Sequence, residues 1–178
     1  MDISDTLAPK SDQLDAVDLW DGSRTFTITR VSRNNGEQPV NVHLAEFPRV
    51  WRPGKSMRRV LAYCWGTDAN EWANRLVRLY CDESVRFGSE AVGGTRISHL
   101  SHIDGAKKVP LIVAKGRSAT FHVLPLTPDL LRADWKAASP DARKVIEAQV
   151  AALTNTELPA ASVPTDPAPQ DDNDETEV

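Results

Sequence analysis

Residues 56–96 read SMRRVLAYCWGTDANEWANRLVRLYCDESVRFGSEAVGGTR. Met57, Val60, Leu61 and Cys64 recur at i, i+3, i+4 and i+7, the spacing of one apolar helix face. Ser56 is the expected N-cap of that helix. Gly66 is the expected stop, where a left-handed backbone is wanted. Arg58 and Arg59 fall off the apolar face, towards solvent or a ligand. Asp68 and Glu71 have capping-box spacing for a second helical turn over roughly 69–74, which turns Trp72 inward. After Asn74 the period changes from helical to alternating. Residues 76–81 set Val77, Leu79 and Cys81 against Leu76, Arg78 and Tyr80, as a strand does. Asp82-Glu83-Ser84 turns the chain, and Val85-Arg86-Phe87 is a short strand ended by Gly88. Gly93-Gly94 permits a bulge or tight bend. Residues 95–103 form a further strand, with Ile97, His99, Ser101 and Ile103 expected on one face.

Upstream, residues 25–33 (TFTITRVSR) alternate and are rich in β-branched residues, so they read as a strand. Phe26 and Ile28 share one face; Val31 falls on the other. Asn34-Asn35-Gly36 is a hairpin signal, and residues 39–47 alternate again through Val40, Val42 and Leu44. Residues 49–55 (RVWRPGK) form a basic loop around Trp51. Trp20-Asp21-Gly22-Ser23 is a turn before the first strand. Residues 1–19 are polar and aperiodic, and read as disordered or loosely docked.

Downstream, residues 109–114 and 119–124 form a last hairpin across Lys115-Gly116-Arg117. Residues 129–137 suggest a short helix containing Trp135. Ser139-Pro140-Asp141 is a strong helix start. Its apolar stripe runs through Ala142, Val145, Ile146, Gln149, Val150 and Leu153. The composition then shifts to Pro, Ala, Thr, Asp and Glu, the signature of a disordered acidic tail.

These elements predict a mainly β protein: a small OB-like or SH3-like barrel with one packed helix, a C-terminal helix and disordered acidic termini. The expected organisation is an acidic arm over 1–21, a β-barrel domain over 22–126, a helical segment over 127–153 and a tail over 154–178. No apolar run approaches the roughly 18 residues of a membrane span. The N-terminus lacks the basic-then-apolar pattern of a signal peptide. Cys64 and Cys81 read as buried free thiols of a reducing, cytoplasmic environment.

The net charge of −4 conceals a division. Residues 1–21 carry six acids and one base, and residues 151–178 carry seven acids and no base. Residues 22–150 carry 20 bases against 12 acids, a charge of +8. A basic body between acidic arms points to a polyanionic partner. Single-strand binding needs cations along the phosphates and aromatic faces for the bases. The candidates are Arg49, Arg52, Lys55, Arg58, Arg59, Arg78, Arg86 and Arg96 for the first role, and Trp51, Tyr80 and Phe87 for the second. Trp51 leads because it lies in a basic loop outside any apolar period. The competing reading is a solvated basic face and a packed aromatic core.

No catalytic motif occurs, so the chain is expected to be non-catalytic, without cofactor or metal. His99 and His102 lie three apart in a predicted strand, on opposite faces, and cannot share an ion.

The segments Met57-Arg58-Arg59-Val60-Leu61, Trp72, Leu79-Tyr80-Cys81-Asp82, Val85-Arg86-Phe87-Gly88 and Gly93-Gly94-Thr95-Arg96-Ile97-Ser98 resemble a group of small phage and prophage proteins of replication and recombination gene regions. The resemblance covers about a quarter of the chain. It departs at Asn74 and Ser89, where the group has glycine. The order barrel, helix, Pro/Ala-rich linker and acidic tip is similar to single-stranded DNA-binding proteins, although the end Glu-Thr-Glu-Val differs from the bacterial Pro-Phe end. These resemblances imply a single-stranded DNA ligand; recruitment through a Pro-Phe end does not carry over, and replication or recombination proteins are expected partners of the acidic tail as a separate reading. The other reading left open is a protein-interaction module, such as an assembly adaptor or host-directed inhibitor.

Overall fold

A computed structural model describes residues 11–87, 90–91, 93–114 and 117–155. The expected acidic tail from residue 156 onward, the first ten residues, the expected strand end at Gly88 with Ser89, and the Lys115-Gly116 part of the last turn lie outside that set. The elements are β1 (Arg24–Arg33), β2 (Val40–Leu44), α1 (Lys55–Trp65), β3 (Leu76–Asp82), β4 (Arg86–Phe87), β5 (Glu90–Ala91), β6 (Gly94–Leu100), β7 (Lys107–Ala114), β8 (Arg117–Pro125), α2 (Pro128–Ala137) and α3 (Pro140–Asn155). Six strands make one mixed sheet in the order β2-β1-β3-β6-β8-β7, and β4 pairs with β5 apart from it. All neighbours are antiparallel except β6 and β8, which run parallel. β2 and β7 are its edges, so among the described residues the sheet is open where a barrel was expected.

The strands are placed as their alternation predicts, but bulges shift the phase. β1 presents Phe26 and Ile28 inward. A register irregularity between Ile28 and Arg30 then sets Val31 opposite Val42, which packs it against the core instead of away from it. A second irregularity at Arg78/Leu79 adds a residue to β6. Ile97 and Leu100 are therefore both inward, while His99 faces outward opposite Arg78. One extra residue reverses every side chain beyond it. β6 ends at Leu100, and His102 lies past it in a turn with φ 56°.

The inner face of the sheet packs on α1. Met57, Val60 and Leu61 of the predicted stripe are buried, Cys64 is half-buried, and Trp65, outside that stripe, is buried beside them. Gly54, not Ser56, is the N-cap, so the helix starts two residues before the expected position. Gly66 ends it with φ 86°, and its N–H donates to the Ala62 carbonyl at 2.9 Å. The three buried tryptophans each satisfy their indole N–H: Trp51 on Thr95 Oγ1 at 2.9 Å, Trp65 on the Ser101 carbonyl at 2.8 Å, Trp72 on the Gly66 carbonyl at 3.1 Å. Buried indoles need such partners; the first ties its loop to β6, the second ties α1 to the end of β6, and the third ties the turn after α1 to that helix's end. Cys64 and Cys81 are free and half-buried, where full burial was expected.

Residues 11–19 are docked, the second of the two states expected for this arm. Gln13 bridges to Val50, and Leu14 and Leu19 are 3% and 2% exposed. Two buried leucines contribute roughly 1.5–3 kcal/mol each, enough to hold a short polar segment. A 3₁₀ turn at Ala16–Leu19 then rests near the glycine pair. A Cβ on Gly93 would stand 3.2 Å from that of Ala16, and Gly93 has φ 71°; a Cβ on Gly94 would meet Val85 at 2.9 Å.

The outer face of the sheet is half covered. Thr127 caps α2 and Ser139 caps α3, each followed by proline. The two helices pack Leu131, Ile146, Val150 and Leu153 on Leu76 and Leu126. Gln149, 3% exposed, donates to the Thr25 carbonyl and to Glu46.

Candidate nucleic-acid interface

The half of the outer face that α2 and α3 leave open is built by β3, β6, β8 and β7. Tyr80 stands opposite Arg96 on neighbouring strands. One step along, Arg78 stands opposite His99, and His99 stands opposite Leu124 of β8. His122, two residues before Leu124, pairs with Lys108 of β7. Alternation puts all of these on one side of the sheet. Tyr80, Arg96 and His99 are half-buried, and Leu124, His122 and Lys108 are exposed. The surface therefore combines a phenol, an aliphatic side chain and several nitrogen cations or donors.

The charges on this face are tuned by neighbours. Burial raises the Tyr80 hydroxyl above its usual range and the Asp82 carboxylate adds to that, while Arg96 opposes them. The phenol is thus a neutral, flat surface at physiological pH. Burial pulls Asp82 upward, but hydrogen bonds from Ser84 and the charge of Arg96 outweigh it and leave the carboxyl lowered. Arg96 Nε sits 3.4 Å from Asp82 Oδ2, a loose pair that leaves the Arg96 side chain 28% exposed. Burial, followed by the Arg78 charge, lowers His99, with Asp134 opposing.

The other sequence candidates are distributed differently. Trp51 is fully buried, so it offers no face to a base; this overturns its choice as the leading stacking residue. Backbone hydrogen bonds in both directions between Trp51 and Val42, each 2.8 Å, turn the indole into the core. Arg78 is also withdrawn. Its guanidinium donates bidentately to Asp134 of α2, one bond being 3.1 Å, and to Thr25 Oγ1 at 3.2 Å. Arg49 donates to Asp18 at 2.6 Å and to the Gln13 carbonyl at 2.8 Å, and lies over the Phe47 ring. Arg52 donates to Asn41 and, through both terminal nitrogens, to Asp12 at 2.7 Å each. Lys55 and Arg59 are exposed on α1, and Arg58 is half-buried with an Nε that finds no acceptor among the described residues. Arg86 is exposed on β4, and the Phe87 side chain lies outside the described residues. Of the candidates, Tyr80 and Arg96 meet on the open face, with Arg78 beside them but engaged.

Sequence reasoning missed His122 and Leu124 as parts of the face, and Asp12 as a partner of Arg52. The first two were legible as alternate positions of the last strand. Asp12 carried no signal, because its contact spans 40 residues. Among the described residues no group of three His, Cys, Asp or Glu converges as metal ligands do, and no helix is long and apolar enough to cross a membrane.

Three histidines give the stability a pH dependence. Burial lowers His43, His99 and His102 below the ordinary 6.5, assisted by Arg30, Arg78 and Arg75 respectively. The unfolded chain then binds protons before the folded one does as pH falls through 6.5, so the stabilisation is present above that value and declines below it. Thermal melts at pH 7.5 and 5.5 are expected to give a lower Tm at 5.5. An unchanged or higher value would contradict the lowered histidines.

No family model, no curated protein and no solved structure matches this chain.

Proposed function

We propose that the chain is a non-catalytic, single-stranded DNA-binding accessory protein of phage replication or recombination. The observation that carries this reading is Tyr80 opposite Arg96 on the uncovered half of a small sheet, continued by His99, Leu124, His122 and Lys108. A sheet face with one aromatic and flanking cations suits bases that stack and phosphates that follow. It is the mode of use expected of an OB-type domain, here on an open sheet. The resemblance of residues 57–98 to small phage proteins supports the setting, the cytoplasm of a bacterial host. The acidic tail over 154–178 serves in this reading as the element that meets replication or recombination proteins.

Fluorescence anisotropy of labelled oligo(dT) with the full chain, at several salt concentrations, tests the reading. Affinity is expected to fall as salt rises, because phosphate contacts release counterions. Tyr80→Ala is expected to weaken binding about tenfold, within the roughly 1–3 kcal/mol of one stacked base. Binding that is absent at low salt, or indifferent to salt, overturns the reading and leaves a protein-interaction module as the alternative. That alternative predicts a protein partner retained from host lysate after nuclease treatment.

A further inference from the structure

We propose that the Arg52 guanidinium is a phosphate-binding site, occupied in the free protein by Asp12 as a built-in competitor. The inference rests on the single-strand reading and extends it from the open face into the cavity that Arg96 shares.

Arg52 is already oriented. Its Nε–H donates to Asn41 Oδ1 of β2 at 2.8 Å, which aims both terminal nitrogens at one point. The two oxygens of Asp12 occupy that point, each at 2.7 Å. A planar fork meeting two oxygens is the geometry arginine offers equally to carboxylate and to phosphate. The space beside it is a cavity of about 260 Å³ whose wall includes Arg52, Arg96, Thr95, Gln38, Gln13 and Asp15. Asp15 is the acid of that wall. Arg96 reaches the same cavity from its position opposite Tyr80. Arg52 and Arg96 thus line one cavity, with Arg96 also opposite Tyr80 on the neighbouring strand.

The two acid–arginine pairs of the N-terminal segment differ in a way that identifies the competitor. Asp18 is 12% exposed, accepts from the Asp15 N–H at 2.8 Å and lies between the buried Leu14 and Leu19. It cannot leave Arg49 without lifting two leucines from the core. Asp12 is 74% exposed, and its carboxylate has Arg52 as its partner among the described residues. It precedes Leu14, so it can swing away while the anchor stays. An ion pair exposed to this degree is weak and screened by salt, so a phosphate can displace it at small cost.

The test uses the full chain, labelled oligo(dT) and four proteins: wild type, Asp12→Asn, Arg52→Ala and the double variant, each checked by its thermal melt. Asp12→Asn is expected to tighten binding about threefold or more at low salt and to steepen the salt dependence by about one phosphate contact. Arg52→Ala is expected to weaken binding, and the double variant to match Arg52→Ala. If wild type binds and Asp12→Asn binds equally, the competitor is refuted while the open-face reading stands. A gain that persists without Arg52 also refutes it, since Asp12 then acts only as a distant charge. Failure of all four proteins to bind refutes both.

Discussion

Replacing Trp51 with alanine is expected to destabilise the chain by about 4 kcal/mol, the usual cost of emptying a buried tryptophan site. The expectation follows from its position. Trp51 is fully buried, its Nε1–H donates to Thr95 Oγ1 of β6, and its backbone is bridged to Val42 of β2. It thereby ties the loop before α1 to two strands. Removal leaves a cavity, a hydroxyl without its donor and a loop without its anchor. Total stabilities of natural domains are only about 5–15 kcal/mol, so the loss is a large share of what the chain has. At roughly 2–4 °C per kcal/mol for a body of this size, the melting temperature should drop by about 10–15 °C. Trp51→Phe should cost less, since it refills most of the space and loses mainly the hydrogen bond. Thermal melting and urea unfolding measure the stability. Oligo(dT) titration well below the melting temperature tests the proposed binding on protein that is still folded, where binding is expected to persist, weakened by no more than the loss of the Arg52 contact. A W51A protein that melts like wild type yet fails to bind would restore the indole as a ligand platform and refute its burial as the explanation.

The case of Trp51 also shows which parts of the molecule were legible beforehand. The stripe of α1, the alternation of β1 and β3, and the Ser139-Pro140 start of α3 are local patterns, and they appear where the sequence puts them. The hairpin after β1 is present, but it closes by the Asn34 N–H to Pro39 carbonyl bond at 2.9 Å, a longer connection than Asn-Gly alone implies. What failed or stayed open was decided over distance. Trp51 sits among basic residues in sequence, yet its partners, Val42 and Thr95, are nine and 44 residues away. The docking of residues 11–19 depends on Leu14 and Leu19, two apolar residues in a polar stretch too short to show a period. The bulge at Arg78/Leu79 reversed the predicted face of His99 because period 2 carries no tolerance for an inserted residue. The open face was half-legible for the same reason: Tyr80 and Arg96 were visible as types, but only the pairing of β6 with β8 brings Leu124 beside His99.

Removing either partner of the Arg78–Asp134 pair is expected to destabilise the chain, and the two losses should be unequal. The Arg78 side chain is 11% exposed and that of Asp134 is 34% exposed. Asp134→Ala leaves a guanidinium that cannot deprotonate, largely out of water, with Thr25 Oγ1 as its remaining acceptor among the described residues. Breaking a well-buried pair this way costs about 3–5 kcal/mol; the water that reaches Asp134 reduces the expectation to about 2–3 kcal/mol. Arg78→Met keeps the packing of the stem under α2 and strands only a carboxylate that can rehydrate, so about 1 kcal/mol is expected. The double variant Arg78→Met, Asp134→Ala should lie close to Arg78→Met alone, because each change removes the reason for the other. Urea unfolding of the three variants gives these values from the shift of the midpoint at constant slope. If Arg78→Met costs more than Asp134→Ala, the charge is not what holds α2 to the sheet, and the pair is incidental to the packing of Leu131 on Leu76. The order bears on function as well. An arginine held this firmly contributes to the scaffold on which Tyr80 and Arg96 are displayed, and Asp134→Ala, by freeing it, should tighten oligo(dT) binding even as it weakens the fold.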